Sequence, residues 1–299
     1  MAPEKQSPPL WHRFVAGGLG DMTAVLFSHP ADVMKVRLQL LGECDKTKRS
    51  VTTRDYLRTG RGLLLTEGVV GGLYAGVSAS LMRQAFFSGM RHGLYGVLES
   101  HLRQSGIRST ASAKLTCAIA SGCTGALIAN PFDVVLIRMQ ADGHWPAQQQ
   151  RGYSHVFNGI SRVCREEGVA ALWRGCGPTV LRAALVTGSQ ITTYEEAKTA
   201  LKHRGWEDGI QTHVVCAAAS ATIACLTTSP VDVVKTRIMN MQRAHGVSYQ
   251  GPIDCVWQTM RTEGPLAFYK GLSATFLRLW PHTIVLWIAQ EKYSALLRG

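Results

Sequence analysis

The sequence lacks the patterns that build metal centres, disulfide frameworks and common enzyme active sites. Its 8 cysteines include no Cys-x-x-Cys pair and no zinc-ligand spacing, so neither a metal site nor a disulfide scaffold is expected. Its 10 histidines form no His-Glu-x-x-His motif, and the chain has neither a partnered serine motif nor a Gly-rich phosphate loop. We therefore predict that the protein is not an enzyme and uses no metal or organic cofactor.

Acidic residues are also scarce. The chain has 20 Asp and Glu against 32 Lys and Arg, a net charge of +12 and a pI near 9.5. Such a balance favours nucleic acid, anionic lipid or small anions as partners. No nucleic-acid-reading motif is present, and no basic face carries interleaved aromatic residues. We therefore expect a small anion or an anionic lipid, and no nucleic acid.

The first ten residues, MAPEKQSPPL, lack both the apolar core of a signal peptide and the Arg- and Ser-rich pattern of a presequence. We interpret residues 1–10 as a polar tail. Any import into an organelle is expected to use internal signals.

The chain does contain a threefold repeat. Three similar boxes, HPADVMKVRLQ, NPFDVVLIRMQ and SPVDVVKTRIM, are centred on Pro30, Pro131 and Pro230. Each third of the chain has two segments longer than the roughly 20 residues that a helix needs to cross a bilayer. The six segments are 12–40, 77–101, 112–140, 176–201, 211–241 and 272–296. We predict an all-α membrane protein with six transmembrane helices in three pseudo-symmetric repeats, 11–103, 104–204 and 205–299, which form one integrated transmembrane domain.

The long loops within the repeats are basic. Residues 41–76, 141–175 and 241–271 contain 6, 4 and 3 Lys and Arg, so these loops are expected in one compartment and both termini in the other. The stretches VFNGISRVCREEG and IDCVWQTMRTEG space their apolar residues as on one helix face, which predicts short helices at the membrane surface.

The boxes identify a family resemblance. Each Pro-x-Asp-x-x-(Lys)-x-Arg box is followed by an acid-Gly…aromatic-(basic)-Gly box, and over nearly the whole chain this pattern resembles the mitochondrial carrier family. The resemblance implies six tilted helices, alternating access, and a multi-pass protein of the mitochondrial inner membrane with its basic loops facing the matrix. Four further stretches are most similar to the branch of dicarboxylate, 2-oxoglutarate and uncoupling carriers: SASLMRQAFFSGMRHGLY, IRMQADG with QRGY downstream, LRAALVTGSQ and FYKGLSATFLRLWPHT.

The three boxes predict a gate on the matrix side. Prolines inside helices kink them, and three kinks at one depth bring three helix ends together. We predict that Asp232 pairs with Lys35 and that Asp133 pairs with Lys235, whereas Leu136 replaces the base that would pair with Asp32. One turn further on, Gln39 and Gln140 are expected to brace these pairs by hydrogen bonds.

A second gate at the cytoplasmic side is expected to be weak. In the family it combines an aromatic residue, an acid and a base, which here are Tyr194, Glu195 and Lys198. The first repeat has Gly96 and Glu99 in place of the acid and the base. In the third repeat, Glu291 is followed by Ser294 at the basic position. The resting carrier is therefore expected to be open to the cytoplasm.

Three arginines predict the substrate class. Arg83, Arg182 and Arg278 lie at the same position of each repeat, roughly 10 Å along an even-numbered transmembrane helix. An arginine at mid-membrane costs at least about 2.5–3.5 kcal/mol unless it is solvated or paired. Guanidinium binds carboxylate in bidentate fashion, and arginines that merely reach for lipid headgroups would not fall in register three times. Arg91, with Gln190 at its counterpart, is placed to hold a second carboxylate.

The second boxes suggest lipid sites. A helix that begins after Trp173-Arg174-Gly175 or Tyr269-Lys270-Gly271 presents free backbone amides to an anion, and the resemblance implies cardiolipin as the bound lipid. In the first copy, Ala75 replaces the base.

We predict an antiporter that exchanges dicarboxylates, such as malate, succinate or 2-oxoglutarate, against each other or phosphate. LRAALVT favours a dicarboxylate carrier and VVLIRMQADG an oxoglutarate carrier, so the substrate stays open. An uncoupling-type carrier that leaks protons or anions would share the arginines, and a transport-inactive membrane adapter is a remote alternative. Because the threefold axis runs through one chain, a monomer is sufficient for transport.

Overall fold

A computed structural model describes residues 10–40, 53–105, 110–143, 145, 147–207, 209–241 and 249–273, and beyond them 275, 276, 278, 282, 285, 288, 289, 292, 293 and 296. These ranges contain no strand, and the ten last positions are helical. The helices are α1 (Leu10–Leu40), α2 (Thr53–Thr66), α3 (Val77–Gln104), α4 (Ala111–Asp142), α5 (Val156–Glu166), α6 (Cys176–His203), α7 (Ile210–Asn240) and α8 (Pro252–Thr262). The all-helical prediction is confirmed.

The long helices pack in a ring that follows the order of the chain. Contacts run from α1 to α3, α3 to α4, α4 to α6 and α6 to α7, and helices α1, α4 and α7 also contact one another. These three helices contain Pro30, Pro131 and Pro230 in their interiors. The proline boxes therefore meet where α1, α4 and α7 converge.

The residue before each proline ties its helix to the second box of the same repeat. In each case the side chain hydrogen-bonds a backbone carbonyl, which joins His29 to Ala75 (2.9 Å), Asn130 to Leu172 (2.8 Å) and Ser229 to Phe268 (3.1 Å). The bond anchors the helix next to the position where proline removes a backbone hydrogen bond.

Glycine closes each contact between one repeat and the next. Gly76, Gly175 and Gly271 have φ of 77°, 72° and 86°, a region that side chains disfavour. A Cβ at Gly175 would lie 2.9 Å from Met239 of α7, and one at Gly271 would lie 3.1 Å from Gln39 of α1. The second long helix of each repeat therefore starts in direct contact with the proline-containing helix of the next repeat.

The predicted surface helices are present as α5 and α8, and α2 is their counterpart in the first repeat. Each is followed by a five-residue helical turn: Val69–Leu73, Val169–Trp173 and Pro265–Tyr269. Phe157 of α5 and Trp257 of α8 are 61% and 57% exposed, as expected for helices that lie against a membrane surface.

By length and composition alone, two helices in the described part of the chain are long and apolar enough to cross a membrane, Ser112–Asp142 and Gln211–Asn240. The other long helices carry more charge, for example Asp21, Asp32 and Lys35 in α1 and Arg83 and Arg91 in α3. Helices of this kind are apolar on only part of their surface.

Candidate functional site

Both predicted ion pairs are present where α1, α4 and α7 converge. Lys35 Nζ lies 2.6 Å from Asp232 Oδ2, and Lys235 Nζ lies 2.9 Å from Asp133 Oδ2. The pairs join α1 to α7 and α7 to α4. Leu136, where a third base would stand, is buried. We call Lys35, Lys235 and the three aspartates Asp32, Asp133 and Asp232 the ion-pair ring.

The three predicted substrate arginines bond to the same aspartates. Arg83 Nε donates to Asp133 Oδ1 at 2.5 Å, Arg182 donates to Asp232, and Arg278 donates to Asp32. Each bond connects a helix of one repeat to the proline-containing helix of the next. Asp133 and Asp232 therefore each bind two cations, and the predicted substrate arginines and the ring form one charged cluster.

Each of these arginines is more accessible than the aspartate that it contacts. The side chains of Arg83, Arg182 and Arg278 are 22%, 30% and 32% exposed, against 5%, 7% and 16% for the aspartates that they contact. An anion that entered here would meet guanidinium groups that are already bonded to carboxylates. A substrate carboxylate would thus compete with an aspartate of the ring for the same donors.

Arg91 and Gln190 occupy equivalent positions on α3 and α6, eight residues beyond Arg83 and Arg182, and both are exposed. The Arg91 backbone lies against α4 at Gly125. Their assignment to a second carboxylate site stays a prediction.

The two predicted glutamine braces behave differently. Thr236 Oγ1 donates to Gln39 Oε1 at 2.8 Å, which links α7 to α1. Gln140 contributes through its backbone, since its carbonyl accepts a bond from Arg37 Nε at 3.1 Å. Its side-chain Nε2 is buried without a partner among the described residues.

A second set of charges, not predicted as a site, lies beyond the ring. In every repeat, the arginine that ends the Pro-x-Asp-x-x-(Lys)-x-Arg box forms a bidentate ion pair, with two hydrogen bonds, to the glutamate of the second box. The Nη2–Oε2 distances are 2.6 Å for Arg37 and Glu67, 3.1 Å for Arg138 and Glu167, and 2.9 Å for Arg237 and Glu263. A signal was available, because an arginine and a glutamate recur at fixed positions in all three repeats.

The predicted lipid-binding bases point inward to these glutamates. Arg174 donates to Glu167, and Lys270 Nζ lies 2.5 Å from Glu263. Burial alone would raise the pKa of Glu263, but the hydrogen bonds and charges of Arg237 and Lys270 hold it below its usual value. The aromatic residues of the same boxes, Trp173 and Tyr269, are 44% and 43% exposed.

Arg151 fastens the second loop to the end of α7. Its Nη1 donates to Asn240 Oδ1 at 3.0 Å and its Nη2 to the Asn240 carbonyl at 2.6 Å. Asp142 accepts bonds from the amides of Arg151 and Gly152, both at 2.7 Å. Burial lowers the pKa of Arg151 to about 10, so the side chain is still charged at neutral pH.

At the opposite end of the long helices, Tyr194 of α6 hydrogen-bonds His213 of α7, with 2.5 Å between the Tyr194 hydroxyl oxygen and Nδ1. Glu195 is exposed and Lys198 is partly buried. In the first repeat, Gly96 and Glu99 lie on α3. Glu291 and Ser294 lie outside the described residues, and the weak second gate stays a prediction.

Comparison with known proteins agrees with this architecture. The family model described as mitochondrial carrier protein matches residues 6–106, 108–205 and 207–299. A probable mitochondrial 2-oxoglutarate/malate carrier protein of Dictyostelium discoideum is 39% identical over 95% of this chain and 89% of its own length. The human mitochondrial 2-oxoglutarate/malate carrier protein is 39% identical over 94% of this chain and 90% of its own length. Mitochondrial uncoupling protein 4 of Arabidopsis thaliana is 37% identical over 95% of this chain and 98% of its own length.

The chain belongs to the mitochondrial carrier family. It is a transporter and a multi-pass protein of the mitochondrial inner membrane, and the transmembrane nature of its more polar long helices follows from the family. The predicted branch is confirmed, because its relatives include both 2-oxoglutarate/malate carriers and uncoupling proteins.

Proposed function

We propose that this carrier exchanges dicarboxylates such as malate, succinate and 2-oxoglutarate against each other or phosphate by alternating access. The observation that carries the proposal is the charge of the central cluster. Five cations (Lys35, Lys235, Arg83, Arg182 and Arg278) face three aspartates of the ring. The excess of two positive charges matches a dianion, and the names of the 2-oxoglutarate/malate carriers agree with that class.

The shared aspartates suggest how binding would open the ring. A carboxylate on Arg182 displaces Asp232 from that arginine and leaves Asp232 with Lys35 alone. Desolvation largely offsets the attraction within buried ion pairs, so the loss of one partner brings the ring close to opening. Without a dianion, the closed ring retains all its contacts and net movement is disfavoured. Exchange, rather than uniport, follows from this coupling.

We extend the proposal to orientation, lipid and assembly. The basic loops and the ring face the matrix, in line with the charge of the loops. Cardiolipin phosphates bind at the helix starts after Gly175 and Gly271, where backbone amides adjoin the exposed Trp173 and Tyr269. The carrier works as a monomer and needs no metal or organic cofactor.

An uncoupling-type leak is the second candidate, since the relatives include uncoupling proteins of Arabidopsis thaliana. The same arginines would attract anions in such a carrier. The two functions differ in whether uptake requires an internal anion.

The test is uptake of labelled malate into cardiolipin-containing liposomes preloaded with nothing, phosphate, malate or 2-oxoglutarate. We expect uptake only with an internal anion, loss of uptake in Arg182→Ala, and normal uptake in the control Arg165→Ala, which changes an exposed arginine of α5. Absence of exchange under every preload, with proton or chloride leak above that of empty liposomes, would replace the exchanger with the uncoupling function.

A further inference from the structure

A buried acid, Asp21 of α1, lies outside the ion-pair ring. Asp21 is only 9% exposed. The position nine residues before the proline is Asp21 in the first repeat, Gly122 in the second and Ala221 in the third. A buried carboxylate is costly unless it is hydrogen-bonded, so its presence in a single repeat points to a role there.

Asp21 ends a chain of hydrogen bonds that starts at Arg83. Arg83 Nη1 donates to Gln84 Oε1 at 3.4 Å, Gln84 Nε2 donates to Ser88 Oγ at 2.9 Å, and Ser88 Oγ donates to Asp21 Oδ2 at 2.5 Å. Gln84 and Ser88 are 9% and 3% exposed. The chain therefore runs inside the contact between α3 and α1, and every donor in it points toward Asp21.

An ionised carboxylate fixes this direction because it can only accept hydrogen bonds. Ser88 has one proton and gives it to Asp21, so its oxygen is left to accept the amide NH2 of Gln84. The Gln84 carbonyl oxygen then faces the guanidinium of Arg83. Without the acid, the Ser88 hydroxyl is free to rotate and the Gln84 amide is free to turn its NH2 toward Arg83, where two donors would oppose each other.

We propose that Asp21 is a positioning residue that acts through Ser88 and Gln84 to fix the direction from which Arg83 meets a substrate carboxylate. The inference rests on the proposed function, since it assigns a specificity role within the same anion site. Arg83 is thereby held on two sides, by Asp133 at Nε and by Gln84 at Nη1.

The second repeat provides an internal comparison. Thr187 occupies the position of Ser88, and a Cβ at Gly122 would lie 3.7 Å from its Oγ1, so the same helix contact exists there without a carboxylate. Ala183 replaces Gln84. Arg182 therefore cannot be oriented by an equivalent chain, and the two arginines are inequivalent toward the two ends of a substrate.

The experiment compares Asp21→Ala, Ser88→Ala and Ser88→Thr with wild type, using malate exchange in liposomes. We expect Asp21→Ala and Ser88→Ala to raise the KM for malate about five- to tenfold, with Vmax within about twofold, as for the loss of one intramolecular hydrogen bond. Ser88→Thr keeps the hydroxyl and should remain near wild type. The control is Ser121→Ala, which removes a buried hydroxyl that bonds the Ala118 carbonyl of its own helix.

An unchanged KM in Asp21→Ala, or a lower Vmax at unchanged KM with a lower unfolding temperature, would overturn the positioning role. A double variant of Asp21 and Ser88 should be no worse than either single variant, because both break one chain.

Failure of the proposed function is distinguishable, because wild type and Ser121→Ala would then show no malate exchange. Positioning is in that case measured by the concentration of malate, 2-oxoglutarate or phosphate that half-protects each variant from thermal unfolding. A wild-type protein that none of the three anions protects would overturn both proposals.

Discussion

Leu136 interrupts the ion-pair ring at one of its three positions. In the other repeats the equivalent residues are Lys35 and Lys235, and each reaches an aspartate. Asp32 instead bonds Arg278, while Leu136 packs in an apolar cluster with residues of α3, α4, α5 and the turn that follows α5. The contact between α1 and α4 therefore lacks the lysine pair that closes the other two.

We expect Leu136→Lys to slow exchange by supplying the missing base. By pseudo-symmetry, the new lysine should reach Asp32 and stabilise the closed ring. Exchange at saturating malate should fall roughly tenfold, which corresponds to about 1.4 kcal/mol, while the unfolding temperature rises. Leu136→Met, which conserves volume, is the control and should leave both quantities near wild type. A lysine variant that unfolds at lower temperature and exchanges normally would show that the base does not reach Asp32.

For single residues, the sequence was sufficient to predict the lysine–aspartate pairs of the ion-pair ring. It was not sufficient to predict every contact of the three aspartates. The pairs of Lys35 with Asp232 and of Lys235 with Asp133 were predictable, because three boxes in register place their charges at one depth. The bonds from Arg83, Arg182 and Arg278 to the aspartates were not predicted. Spacing gives depth along a helix, but the rotation of a kinked helix about its axis depends on packing against its neighbours.

Among the elements, the arginine–glutamate pairs tie each proline-containing helix to the surface helix of its own repeat. Arg237 and Glu263 form the most enclosed pair, with side chains 1% and 5% exposed. Removing one member of such a pair leaves an uncompensated buried charge. These pairs therefore position the helix ends on which the ring is built.

We expect Glu263→Gln to destabilise the protein by about 3–5 kcal/mol, the usual cost of breaking a buried ion pair. The matched control is Glu166→Gln, which breaks an exposed pair with Arg162 on α5 and should cost no more than about 0.5 kcal/mol. Unfolding temperatures measured at one scan rate compare the two. Equal shifts in both variants would contradict the assignment of Glu263 as the more strongly coupled residue.

The same pair predicts how stability depends on pH. Because Arg237 and Lys270 hold the pKa of Glu263 below its ordinary value of 4.5, its contribution is complete above pH 4.5 and is lost as pH falls through the folded-state pKa. The difference in unfolding temperature between wild type and Glu263→Gln should therefore be constant from neutral pH down to that range and shrink below it. A difference that grows on acidification would have the wrong sign.

Arg151 links two repeats through Asn240, and the link can be measured with a double-mutant cycle. Arg151→Ala and Asn240→Ala should each lower stability, and their combined effect should fall short of the sum by about 1 kcal/mol, as for residues in direct contact. Arg151→Lys keeps the charge but loses the second donor, so its stability should lie between those of wild type and Arg151→Ala. Additive effects would show that the contact contributes no coupling.

The contact between Arg151 and Asn240 was not predicted from the sequence, because Arg151 lies in a loop. The stretch QRGY contributes only to the branch resemblance, and nothing in its spacing relates Arg151 to a residue 89 positions later. The surface helices α5 and α8 were predictable because amphipathic spacing is local. A contact between a loop and a distant helix end depends on the completed fold.

In the whole molecule, three repeats converge on one cluster in which the predicted substrate arginines bond the aspartates of the predicted gate. Contacts among α1, α4 and α7 close the molecule at the ring, while the arginines that contact it remain partly exposed. The ion-pair ring is therefore closed in this structure. The proposed alternating access requires these three helices to separate at that end.

That requirement predicts the effect of a cross-link across the ring. Gln39 of α1 and Thr236 of α7 are hydrogen-bonded at 2.8 Å, so cysteines at both positions should be joined by a short, reducible bifunctional thiol reagent. We expect the joined carrier to lose exchange and to regain it on reduction, and we expect malate to slow the joining because it favours the open ring. Each single-cysteine variant, treated alike, controls for reaction at the native cysteines. Undiminished exchange in the joined carrier would mean that α1 and α7 do not separate during transport, and malate-accelerated joining would mean that the substrate closes the ring instead of opening it.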